Sequence, residues 1–187
     1  MRIVVGITGA SGSIYAYSFV RALHLLGVET YVIATEMAEK VLKFECGVTL
    51  DELKNYATVV SNKNLFAPVA SGSFKTDGMA IIPCSMNTLG AIANGTGNSL
   101  LSRTAGVMLK QRRKLVIVPR ETPLNLIHLE NMTRLARAGA DILPASPGFY
   151  HNPREIWELV NFIVARVLDA FGIEHSLMAR WGEKPAE

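Results

Sequence analysis

Ile3, Val4, Val5 and Ile7 open the chain as a β-branched apolar run, the pattern of a strand buried on both faces. The run gives way at Thr8-Gly9-Ala10-Ser11-Gly12 to a helical pattern over Ser13 to Leu26, with Ile14, Tyr17, Phe19, Val20 and Leu23 on more than one face. Gly27 stops it. A second strand is predicted over Glu29 to Ala34, followed at Thr35-Glu36 by helical residues 37–46 and a short helix over 50–55. From Ala57 to Thr76 the pattern weakens, and Ser71-Gly72-Ser73 reads as loop. The layout of residues 50–75 does not follow from periodicity.

The second half is more regular. Strand-like runs at 79–82, 115–118 and 141–143 alternate with helical stretches over 87–94, 99–113, 124–138 and 153–171. Each run ends at a proline, Pro83, Pro119 or Pro144, which cannot donate to a ladder and so marks where the strand leaves the sheet. Thr122-Pro123 and Asn152-Pro153 predict helix starts, with Glu155 completing a capping box on Asn152. Strands alternating with helices predict an α/β fold, a parallel sheet with helices on both faces. The turns after the strands should then converge along one edge, where such sheets bind ligands.

Composition changes this picture little. The 187 residues, 49% hydrophobic and 19% charged, suit one domain over 1–187. No run has bilayer length and no signal peptide is recognisable. The two cysteines, Cys46 and Cys84, are too few for a disulfide scaffold, so a cytoplasmic protein with reduced thiols and no membrane association is expected. A net charge of +3 is too small to argue for nucleic acid. The four histidines lack metal-ligand spacing, and a metal-free site is expected.

Candidate chemistry lies in the turns. Thr8 to Gly12 joins a strand to a helix through small residues, the form of a phosphate cradle or of a tight turn with no ligand. The glycine spacing is not that of the dinucleotide fingerprint. Ser85 and Thr88 can cap a helix or bind a ligand's oxygens. Cys84 reads as a small buried hydrophobe. Arg120 stands where a strand has just ended, suited to bidentate contact with phosphate. The run Lys110 to Lys114 reads mostly as a solvated helix end, Lys110 excepted.

Several of these segments together resemble a known family. They are Thr8–Gly12, Pro83–Leu89, Leu109–Arg113, Pro119–Leu124 with His128–Met132, Pro147–His151, and Arg180-Trp181. In order along nearly the whole chain, they are similar to the UbiX-type flavin prenyltransferases. The resemblance implies a Rossmann-like flavoprotein, bound FMN and a homo-oligomer, a dodecamer. It implies transfer of a dimethylallyl group from dimethylallyl monophosphate to reduced FMN without a metal, the product serving a UbiD-type decarboxylase. By the same resemblance Gly9, Ala10, Ser11, Thr35, Ser85, Met86, Asn87, Thr88 and Arg120 would hold FMN. Thr35 stands where serine is common in relatives, with the hydroxyl kept. Lys110, Arg120, Tyr150 and Arg166 would grip the prenyl phosphate. Glu45, Glu121, Ser11 and Trp181 would serve catalysis, the glutamates managing protons and Trp181 lining the pocket with Tyr150.

Cleaving a prenyl phosphate leaves negative charge on the phosphate and positive charge on an allyl group. Cationic side chains suit the first and aromatic faces the second. A cysteine decarboxylase of the same fold is the nearest competitor, but Pro83-Cys84-Ser85-Met86-Asn87-Thr88 departs from its Pro-Ala-Ser-Ala-Asn-Thr. A flavin carrier without catalysis would not need a second anion site. Glu121 either handles a proton or complements the dipole of a helix beginning near Pro123.

Overall fold

The first strand, β1 (Arg2–Ile7), is covered on both faces because its side chains alternate between two cores. Ile3, Val5 and Ile7 enter one core and Val4 the other. The same alternation splits β4 (Gly78–Cys84), with Ala80 and Ile82 on one side and Met79 and Ile81 on the other. It also splits β5 (Lys114–Pro119) into Val116 and Val118 against Leu115 and Ile117. β2 (Glu29–Ala34), β3 (Thr58–Ser61) and β6 (Asp141–Ile142) complete a six-stranded sheet in the order β3-β2-β1-β4-β5-β6, every pair parallel. This computed structural model describes residues 1–178, 180 and 182.

Seven helices cover the sheet among the described residues. α1 (Ser13–Leu25), α2 (Glu36–Cys46), the single turn α3 (Leu50–Leu53) and α7 (Ile156–Ala170) bury Phe19, Leu23, Leu42, Leu53 and Val164 in the first core. α4 (Met86–Ala93), α5 (Leu100–Lys110) and α6 (Leu126–Arg137) bury Leu89, Leu101, Met108 and Leu135 in the second. Sequence order along the sheet reverses between β1 and β4, so the crevice beyond their C-terminal ends is the expected ligand position.

The segment that periodicity left unread contains β3, a four-residue edge strand with only its two central valines half-buried. The chain then runs back along α5, held by partners distant in sequence. Arg113 donates to the carbonyls of Gly72 at 2.7 Å and Phe74 at 2.8 Å, so this arginine of the basic run is a clasp rather than a solvated charge. Asn62 accepts the N–H groups of Leu100 and Leu101, each at 2.9 Å, and so closes the start of α5.

Two helix starts fall three residues later than the proline signals predict. Asn125 caps α6, accepting from His128 N at 2.9 Å, because a cap is set by the side chain that meets the third N–H, and Thr122 does not. At α7 the carboxylate of Glu158 accepts from Arg154 N at 2.6 Å and Glu155 N at 2.9 Å. Asn152 has φ 53°, a left-handed turn that removes it from the extended geometry of a cap.

Candidate active site

Among the helices that begin at the C-terminal edge of the sheet, α1, α2 and α4 are closed differently. At α2 the Thr35 hydroxyl accepts from Ala38 N at 3.1 Å. At α4 the Ser85 hydroxyl accepts from Thr88 N at 3.4 Å and donates to Thr88 Oγ1 at 3.2 Å. Both caps are neutral. At α1 no side chain of the turn itself caps the helix, and Gly12 adopts φ 103°, a conformation glycine enters without strain. The missing cap comes from α2 instead. The Glu45 carboxylate accepts from Gly12 N at 2.9 Å and Ser13 N at 2.8 Å.

Partial burial pulls the Glu45 carboxyl upward, but its bonds from Ser11, Ser13 and Gly12, with the charge of Arg120, hold it below the ordinary carboxylate value. Glu45 is therefore ionised at neutral pH. On the other side of the same loop Arg120 Nε donates to Ser11 O at 3.0 Å, and its own N–H bonds Cys84 O at 3.3 Å. Carboxylate and guanidinium thus hold Ser11 between them. Gly9 lies where a Cβ would come within 2.5 Å of Met37 Cγ, so the loop packs against α2 at a distance that excludes any side chain there.

The chain turns after Arg120, and both it and Glu121 line a small cavity of about 120 Å³ with Thr122, Met132 and Ser146. Glu121 Oε1 accepts from Thr122 N at 3.0 Å. Since α6 begins at Leu126, Glu121 stands outside its first turn, which removes the helix dipole as the reason for a carboxylate here. Two open clefts flank the edge. One of about 690 Å³ includes Thr35, and one of about 680 Å³ includes Met86, Asn87 and His128.

Within one chain the structure brings together Gly9, Ala10, Ser11, Thr35, Glu45, Ser85 to Thr88, Arg120 and Glu121 at this edge. Tyr150, in the loop after β6, lies with its ring 5.8 Å from those of Phe162 and His151. Arg166 lies near the C-terminal end of α7, five residues before its cap Phe171, with Nη1 2.9 Å from Asp169 Oδ2. Lys110 is elsewhere. It closes α5, which starts beside Asn62 at the end of β3 and runs down to the start of β5, and so it lies at the opposite edge. There it lines a groove of about 150 Å³ with Arg103, one face of α5 carrying both cations. Arg103 escaped sequence reasoning, though its seven-residue spacing from Lys110 was the signal that could have found it. Trp181 lies outside the described residues.

Cys84 is fully buried, which pushes its thiol far above the ordinary range and leaves it inert. Among the described residues no group of three or more His, Cys, Asp or Glu is placed to hold a metal ion, and no helix is long and apolar enough to cross a membrane.

The model of the Flavoprotein family matches residues 1–168. A flavin prenyltransferase UbiX of Alkalihalophilus pseudofirmus is 48% identical, over 96% of this chain and 95% of its own. The chain belongs to the UbiX-type flavin prenyltransferases. Two solved UbiX-type structures superpose on it closely. AnUbiX in complex with FMN and dimethylallyl pyrophosphate has a TM-score of 0.96 and 44% identity, covering 98% of both chains. A dodecameric FMN-dependent UbiX-like decarboxylase from Escherichia coli O157:H7 has a TM-score of 0.95 and 41% identity, covering 98% of this chain and all of that one.

Proposed function

We propose that this UbiX-type chain, acting as one domain over residues 1–187, joins a dimethylallyl group from dimethylallyl monophosphate to reduced FMN. The carrying observation is the position of Arg120, tied by its backbone to the β4 turn and by its guanidinium to the β1 turn. The residues present fit FMN. Neutral hydroxyls at two helix ends and one guanidinium form a donor set suited to a phosphate monoester. Ser13 Oγ is buried beneath the loop with no partner, a polar atom that a bound group can satisfy.

When bound, reduced FMN supplies the electron-rich ring that accepts the prenyl carbon as the carbon–oxygen bond to phosphate breaks. The chain's part is electrostatic and protonic. Arg120, Lys110, Arg166 and the Tyr150 hydroxyl stabilise the departing phosphate in place of a metal. Glu121 handles a proton at the reacting centre, and ionised Glu45 fixes the Ser11 loop. Trp181 and Tyr150 line the prenyl pocket. Because Lys110 lies at the far edge of its own chain, it serves the site of a neighbouring copy, and activity belongs to a homo-oligomer, a dodecamer. The product is prenylated FMN for a UbiD-type decarboxylase.

The test is anaerobic incubation with reduced FMN and dimethylallyl monophosphate in the presence of a magnesium chelator. A flavin carrying the added prenyl mass is expected, and it should restore a UbiD-type apo-decarboxylase. Absence of the adduct, or decarboxylation of an aromatic acid by this chain alone, overturns the proposal.

A further inference from the structure

The hydrogen-bonded ladder between β1 and β4 stops short of the site. Its last pair is Gly6 with Ile81, and two residues further on Pro83 has no N–H to offer. β4 also loses register with β5 between Ile81 and Cys84. At this break stands Thr8, with no exposed surface. Its hydroxyl donates to Pro83 O at 2.8 Å and accepts from Ser85 N at 2.7 Å, while its N–H reaches Pro83 O at 3.3 Å. The Thr8 side chain, together with one backbone bond, therefore continues the pairing past the break.

The consequence reaches the site through Ser85. Fixing the Ser85 N–H fixes the residue whose hydroxyl caps α4 and bonds Thr88 Oγ1. Those two hydroxyls belong to the donor set proposed for the FMN phosphate. We infer that Thr8 is a positioning residue for flavin phosphate recognition, acting through Ser85 and Thr88 without touching the ligand. This rests on the FMN reading above. Serine retains the hydroxyl and valine retains the shape, so the two variants separate the hydrogen bonds from the packing.

The experiment titrates flavin-free protein with FMN and with riboflavin, which lacks the phosphate, following flavin fluorescence. Wild type should prefer FMN. Thr8→Val should weaken FMN binding by about tenfold, the effect of leaving the Ser85 N–H without its acceptor at the turn. Riboflavin affinity should not change, and Thr8→Ser should restore FMN affinity to within about twofold. A merely structural hydroxyl would lower the melting temperature while leaving the FMN-to-riboflavin ratio intact, and that result overturns the inference. If Thr8→Val does not fold, Thr8→Cys, of similar size and a poor hydrogen-bonding partner, takes its place with the same readout. Wild type that binds both flavins equally would instead sink the phosphate-site reading, and the inference with it.

Discussion

The N-terminus of α1 and those of α2 and α4 face the same edge, yet they are closed by different groups. Hydroxyls close α2 and α4; the first turn of α4 carries no acidic residue, so its dipole end has no countercharge, whereas α2 places Glu36 and Glu39 in its first turn. A full carboxylate closes α1, its charge spent on Gly12 and Ser13. On the proposed function, an incoming phosphate favours the end of α4, beside Arg120, over the carboxylate-closed end of α1. The small-residue loop that reads as a phosphate cradle is tied down at Ser11 by Glu45 and Arg120, and the proposed function places the anion instead at Thr35, Ser85, Thr88 and Arg120. Two glutamates divide in the same way. Glu45 is committed to a helix end, whereas Glu121 is outside any helix turn and lines a cavity beside Arg120.

The largest expected effect tests that second contrast. Glu121→Gln should bind FMN normally and lose about a hundredfold or more in prenyl transfer, measured in single turnover. Normal turnover would end its role in proton handling. Next, Arg120→Met should weaken FMN binding by roughly ten- to a hundredfold, the worth of a charge-assisted hydrogen bond, with riboflavin less affected. Equal losses for both flavins would show that Arg120 shapes the Ser11 loop rather than attracting phosphate.

Glu45→Gln should leave FMN affinity unchanged or raise it, while lowering stability by about 1 kcal/mol at neutral pH. Because the folded carboxyl lies below its ordinary 4.5, the wild-type advantage is full above that value. It disappears as pH falls through the folded value, so denaturation curves of the two proteins should converge in acid. A stability gap independent of pH would deny that the charge matters. The smallest effect concerns a hydroxyl away from the edge. Thr104 Oγ1 is buried without a partner, so Thr104→Val should gain up to about 1 kcal/mol in thermal or urea unfolding. A loss there would show that unpartnered hydroxyls in this protein are satisfied by water, and would weaken the same argument for Ser13.

The sequence by itself determined five strands, the alternation that sorts Val4 from Ile3 and Val5, and the edge on which Ser85, Thr35 and Arg120 meet. Those features depend on local periodicity and on turn residues next to the strands they end. Family motifs, being contiguous, also carried the activity. The tertiary structure decided what depends on partners far apart in the chain. β3 became a strand through pairing with β2, and residues 62–76 took their course from Asn62 bonded to the start of α5 and from Arg113 bonded to Gly72 and Phe74. The α6 and α7 starts moved past their prolines because the effective caps were the side chains that met an N–H. Glu45 reached a helix end 33 residues before it, and Lys110 was carried to the opposite edge by the direction of α5. A cap, a charge and a direction are properties of two elements at once, and no single stretch of sequence contains both.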